Sequence, residues 1–189
     1  SYYDTSVGNG YELYRPDEDV EVMSIMDGVS GYGVYAVGGE WLEYTCSAEP
    51  GFYALRIRCA TYRYTVQSFT VSDETGVIAT ATLPPTGGWS TWQDVIIPDV
   101  YLSGGSEKVL RFTVGDGVVL LNYAEFERQY YAADLDRTGI VDLEDFSVLS
   151  SQWLGEPGEP SADIAPAGGD GWVDLLDLAE LAENWLVMQ

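Results

Sequence analysis

The sequence predicts a mainly β chain, an antiparallel β-sandwich (jelly roll) over residues 1–128, followed by a small C-terminal α-helical module over residues 132–189. Three observations predict it. Residues 1–128 alternate apolar and polar side chains with period two and are cut at short intervals by Gly and Pro. After Glu127 the apolar residues fall at helical spacing. Residues 130–189 also repeat at an offset of 32, each copy an acidic loop running into a helix.

In chain order, strands are expected at 20–25, 41–46, 52–62, 65–71, 77–83, 92–97, 109–114 and 118–127. Along 52–62, Tyr53, Leu55, Ile57 and Cys59 share one face and Arg56 and Arg58 the other. The turns between strands are marked by Asp27-Gly28, Gly38-Gly39, Pro84-Pro85-Thr86-Gly87-Gly88, Gly104-Gly105 and Gly115-Asp116-Gly117. Many short strands at this spacing suit a sandwich. The strands 41–46 and 52–62 read as a hairpin about Glu49-Pro50-Gly51, which would hold Cys46 and Cys59 too far apart for a disulfide. Both are expected as free thiols, and the redox compartment stays open.

Composition excludes several functions. Thirty-one acidic residues against eight basic ones leave a net charge of −23, so neither nucleic acid nor an anionic membrane is expected as a partner. Histidine is absent, which removes imidazole catalysis, His-based zinc sites and a Ser-His-Asp triad. No run of about 20 apolar residues occurs that would span a bilayer.

In the repeat, Gly139, Val141, Asp142, Leu143, Asp145, Trp153 and Leu154 recur as Gly171, Val173, Asp174, Leu175, Asp177, Trp185 and Leu186. Helices are expected at 143–154 and 175–187, packed on each other through Phe146, Leu149 and Trp153 and through Leu178, Leu181 and Trp185. The first loop runs from Asp134 to Asp145 with the spacing of an EF-hand loop. Its donors are Asp134, Asp136, Thr138, the Ile140 carbonyl, Asp142 and Asp145, with Gly139 at the sharp turn. Hard oxygen donors at alternate positions suit Ca²⁺. The second loop offers Asp170, the Trp172 carbonyl, Asp174 and Asp177, but Pro166 stands twelve positions back from its end. The nearest upstream carboxylate, Asp163, would complete the site across a three-residue insertion.

Paired loop-helix units of this kind, ending in Asp, resemble the dockerin family. That resemblance implies Ca²⁺ binding and docking onto a cohesin-like protein. The chain departs from the Ser/Thr pairs frequent in dockerin loops, placing Leu143-Glu144 and Leu175-Leu176 there instead.

The runs Gly39-Glu40-Trp41-Leu42-Glu43-Tyr44-Thr45, Gly51-Phe52-Tyr53 through Arg58-Cys59-Ala60, Thr86-Gly87-Gly88-Trp89-Ser90-Thr91-Trp92 and Leu121-Asn122-Tyr123-Ala124-Glu125-Phe126 resemble family 6 carbohydrate-binding modules. Tyr3-Asp4-Thr5-Ser6, Gly8-Asn9 and Tyr14-Arg15 extend the match. The resemblance implies a sugar ring held between Tyr35 and Trp89, with its hydroxyls bonded by Asn122. Trp92 is expected in the core, and Arg56 and Arg58 on a solvated strand face.

The combined expectation is a non-catalytic polysaccharide-binding fragment of a larger secreted, extracellular glycan-degrading enzyme. Two alternatives remain: an adhesive sandwich stiffened by calcium loops, or part of a glycoside hydrolase using paired carboxylates.

Overall fold

The computed structural model describes residues 1–8, 17–25, 31–62 and 66–186. The expectations resting on Asn9, Tyr14, Arg15, Asp27, Gly28, Thr65 and Val187 lie outside the described residues. Ten strands precede two helices: β1 (Tyr2–Tyr3), β2 (Glu21–Ser24), β3 (Tyr32–Val37), β4 (Trp41–Ala48), β5 (Gly51–Ala60), β6 (Val66–Asp73), β7 (Gly76–Leu83), β8 (Gln93–Leu102), β9 (Gly105–Thr113), β10 (Val118–Arg128), α1 (Leu143–Ser151) and α2 (Leu175–Glu183). Contacts group residues 1–49 and 53–127 into one compact unit, and 50–52 and 128–189 into a second.

The first unit holds two five-stranded sheets, in the orders β1-β4-β9-β6-β7 and β2-β3-β10-β5-β8. The recorded pairings are antiparallel. Period-two alternation decides what lies between the sheets. Tyr53, Leu55, Ile57 and Cys59 of β5 are buried while Arg56 and Arg58 face outward. Leu110 and Phe112 of β9 likewise join Phe69, Val71, Leu83, Val100, Leu102 and Val119 in one apolar core. Each such side chain contributes about 1.5–3 kcal/mol by leaving water.

Three expectations change. β4 and β5 are not a hairpin: β4 pairs with β1 and β9, and β5 lies in the other sheet between β10 and β8. Cys46 and Cys59 are free thiols, and they sit on strands of opposite sheets. Strand β8 runs on through Pro98 to Leu102 instead of stopping at 97; it is an edge strand, where a missing N–H costs the sheet nothing. β3 was not anticipated as a strand, because its Tyr-Gly-Val-Tyr-Ala-Val run has small residues where alternation would show.

In the second unit the helices are shorter than expected. Gln152 and Asn184 cap α1 and α2, and Leu154 and Leu186 take left-handed backbone angles beyond them. Leu149 and Leu181 are buried, but Phe146, Trp153 and Trp185 are exposed. The core is built mostly from the loops, where Ala133, Leu135, Val141, Ala162 and Val173 pack with the two leucines. The helices therefore meet less through their own faces than amphipathic spacing implies. Each repeat instead closes on the other through the backbone: the Leu154 N–H donates to the Val173 carbonyl and the Leu186 N–H to the Val141 carbonyl, both at 2.8 Å. The stretch between the copies is held by Gln152, which bonds Gly158, Pro160 and Ala162.

Candidate functional site

Tyr35 lies on β3, opposite Leu120 of β10. Asn122, two residues beyond Leu120, therefore shares its face of the sheet. Trp89 lies in the loop after β7, and Thr86 fastens that loop to the end of β5. Its N–H donates to the Thr61 carbonyl at 2.9 Å and its hydroxyl to the same carbonyl at 2.8 Å. This tie brings Tyr62, the residue after Thr61, beside the Trp89 indole. The two rings stack at 6.0 Å and 21°, and Tyr35 meets Trp89 edge-on at 5.8 Å and 63°. Trp89 is half-buried, in keeping with a loop residue, and Tyr62 is 43% exposed.

The expected clamp has a different form here. A pyranose between two ring faces needs two van der Waals contacts, about 7–8 Å from ring to ring. At 5.8 Å and a steep angle, Tyr35 and Trp89 touch each other and do not bracket a gap. The arrangement is a three-ring platform, with Tyr62 added to the two residues the sequence singled out. Carbon-bound hydrogens of a sugar face pack on such a surface.

Asn122 stands beside it with both ends engaged. Its Oδ1 accepts from Arg58 Nη1 at 2.9 Å, and its Nδ2 donates to the Tyr32 carbonyl at 2.9 Å. The Arg58 guanidinium lies over the Trp92 ring, 5.1 Å from its centroid. Trp92 is half-buried outside the core cluster, not a core residue as expected. Arg58 is no simple solvated side chain, and Arg56 reaches Glu125 at 3.6 Å and Glu127 at 4.0 Å. Tyr62 and Tyr32 escaped sequence reasoning as site residues, and Arg58 was expected on a solvated strand face. Tyr62 was expected inside the strand 52–62, whereas β5 ends at Ala60 and leaves it in the following loop.

Elsewhere in the sandwich, burial raises the Glu21 carboxyl above its usual value, helped by the charges of Asp4 and Glu40. Burial, aided by Asp94, likewise pushes the Cys59 thiol up to about 11. That thiol stays protonated and inert at neutral pH.

The two acidic loops follow one plan. In the first, Asp134 accepts from the Thr138 and Gly139 N–H groups, and Asp145 from Leu135, Asp136 and Asp142. In the second, Asp163 accepts from Asp170 and Gly171, and Asp177 from Ile164, Ala165 and Asp174. Asp163 thus occupies the place of Asp134 in spite of the insertion. Gly169 makes room for it: at φ +77°, a Cβ there would run into the Asp163 carboxylate. Asp142 and Asp174 also cap α1 and α2 through matching capping boxes.

Oxygens of Asp134, Asp136 and Asp145 lie within 4.8 Å of one another, with Asp134 and Asp145 buried. Burial raises the Asp134 carboxyl, and the charges of Asp145 and Asp136 push the same way, against the Gly139 and Thr138 N–H bonds. Like charges gathered in a partly buried all-oxygen donor set fit a hard cation. Asp136, Thr138, Ile140 and Asp142 surround the first loop; Asp170, Trp172 and Asp174 hold the equivalent places in the second, which lacks a carboxylate matching Asp136.

The family 35 carbohydrate binding module profile matches residues 17–126. The chain belongs to this family of carbohydrate-binding modules. The match covers the sandwich from β2 to most of β10, with all three of Tyr35, Trp89 and Asn122. Solved family 6 modules share its fold. One, CBM6cm-2 of Cellvibrio mixtus lichenase 5A in complex with cellotriose, is 25% identical with a TM-score of 0.52, covering 59% of this chain and 88% of its own. Another, the C-terminal family 6 module of LamC from Zobellia galactanivorans, is 22% identical with a TM-score of 0.50, covering 59% and 90%. No curated protein matches the sequence. The expected family 6 likeness therefore appears in the fold, while the sequence match is to family 35. A carbohydrate-binding module binds its glycan without turning it over, so the chain is read as a binding module and not as an enzyme.

Proposed function

We propose that this carbohydrate-binding module grips a polysaccharide chain on the Tyr35–Trp89–Tyr62 platform, with Asn122 bonding a pair of sugar hydroxyls. The observation that carries this reading is the meeting of three aromatic rings from β3, the 84–91 loop and the end of β5 beside an amide of fixed orientation. An amide supplies both a donor and an acceptor, which suits vicinal hydroxyls. The neighbour bound to cellotriose makes β-glucan oligosaccharides the first ligands to try.

The second unit serves, in this reading, as a dockerin-like tether. Ca²⁺ supplies the positive charge that its loops lack. Asp134, Asp136, Thr138, Asp142 and Asp145 would hold one ion with the Ile140 carbonyl. Asp163, Asp170, Asp174 and Asp177 would hold another with the Trp172 carbonyl. The exposed Phe146 and Trp153 and the half-buried Leu178, around a cavity of about 250 Å³, offer apolar area to a cohesin-like protein. Such an arrangement belongs to a secreted, extracellular protein, as an accessory part of a larger glycan-degrading enzyme.

The test is a glycan array on the whole chain, with and without chelator, followed by titration of Trp89→Ala. Binding by the native chain with about a fivefold or larger loss in Trp89→Ala is expected, since a stacked aromatic is worth about 1 kcal/mol. Undiminished binding by a folded Trp89→Ala would remove the platform from the site.

A further inference from the structure

We infer that Arg58 is a positioning residue that sets which sugar hydroxyls the site accepts, acting through Asn122. This rests on the reading of Asn122 as a sugar contact.

The alternation of β5 turns Arg58 outward, opposite the buried Ile57 and Cys59. Its guanidinium carbon lies over the Trp92 ring, 5.1 Å from the centroid, a cation–π contact that restricts the side chain. From there Nη1 donates to Asn122 Oδ1 at 2.9 Å. At the other end, Asn122 Nδ2 donates to the Tyr32 carbonyl at 2.9 Å. Turning the amide over would set N–H against guanidinium and carbonyl against carbonyl. Both contacts would then be repulsive, so the amide has one orientation.

That orientation has a consequence for the ligand. Asn122 retains one N–H and one lone pair, in a fixed spatial order. A hydroxyl meeting the N–H must accept, and its neighbour meeting Oδ1 must donate. An epimer that moves one hydroxyl out of reach leaves a polar atom of Asn122 without a partner, which is where discrimination between polar analogues arises. Without Arg58, the amide is tied at one end only and can rotate to suit either epimer. Arg56, two residues earlier on the same face, is drawn to Glu125 and Glu127 and has no such relation to Asn122.

The experiment uses the full chain and the best oligosaccharide from the array, with its C-2 and C-3 epimers. Arg58→Met, Asn122→Ala and the double variant are titrated, and thermal melting confirms folding. Arg58→Met is expected to weaken binding about tenfold and to flatten the preference between epimers. In the Asn122→Ala background it should weaken binding less than twofold further.

A full tenfold loss in that background would show that Arg58 touches the sugar directly and would overturn the inference. So would native selectivity in Arg58→Met. If Arg58→Met does not fold, Arg58→Lys takes its place, with the side-chain amide NMR signals of Asn122 as readout. Displaced signals support the positioning role, and unmoved signals reject it. Failure of the native chain to bind any glycan would instead remove the site reading itself, so the two failures are separable.

Discussion

A single buried cation shows how closely residues are matched in the sandwich. Lys108 has its ammonium 2.9 Å from Asp73 and 2.8 Å from Glu74, and the Lys108 and Asp73 side chains are each only 1% exposed. Burial works to raise the Asp73 carboxyl, but bonds from the Thr75 hydroxyl and Lys108 outweigh it and hold it below the usual range. Burial likewise works to lower Lys108, and Glu74 and Asp73 outweigh it upward. The sign follows. Asp73 contributes its full stabilisation above the ordinary aspartate value and loses it as pH falls through its lowered one. Lys108 contributes fully below the ordinary lysine value and loses it as pH rises through its raised one. Lys108→Met should therefore cost about 3 kcal/mol at pH 7, by leaving Asp73 buried and unpaired. The deficit should shrink in acid, where the Asp73 carboxyl, no longer held down by Lys108 and pushed up by burial, takes up a proton. Urea unfolding at neutral and at acid pH measures it, and an equal loss at both would contradict the pairing.

Among the elements, α1 and α2 show what spacing conveys and what it omits. The pattern of Phe146, Leu149 and Trp153 places three apolar residues on one helical face, yet Leu149 is 1% exposed and Trp153 37%. The loops fill most of the core that the helices were expected to fill. Leu149→Ala should consequently cost about 3 kcal/mol and melt the helical unit. Trp153→Ala should leave the helices intact by circular dichroism while weakening any cohesin-like attachment. Comparable loss of helix in both variants would mean that the exposed face is structural after all. The acidic loops were legible because their ligand-type residues, turn glycine and helix cap lie within one short stretch. The standing of Asp163 beside Asp170 and Gly171 was anticipated across the insertion, whereas the part of Gly169 in admitting it was not.

At the scale of the whole molecule, the two hydrophobic cores share no residue among those described, and the acidic loops lie in the second unit. Chelation of calcium should therefore unfold residues 130–189, because binding free energy in such loops is largely folding free energy. The β-sheet signal and glycan binding should persist. Circular dichroism and glycan titration in the presence of a chelator measure both. Joint loss of the two units would end the division of labour, and unchanged helices would end the calcium reading.

The sequence by itself determined the class of fold, the inward face of β5, the repeat, and the residue types that could meet a sugar or a cation. Alternation and loop spacing are local properties, written in neighbouring positions. Only the tertiary structure decided that β4 and β5 part into different sheets, that Tyr62 stacks on Trp89, and that Arg58 bonds an amide 64 positions away. A period of two says which way a side chain points but not which strand lies beside it. Pairing partners are chosen by packing across the whole core, and no short stretch of chain contains that choice.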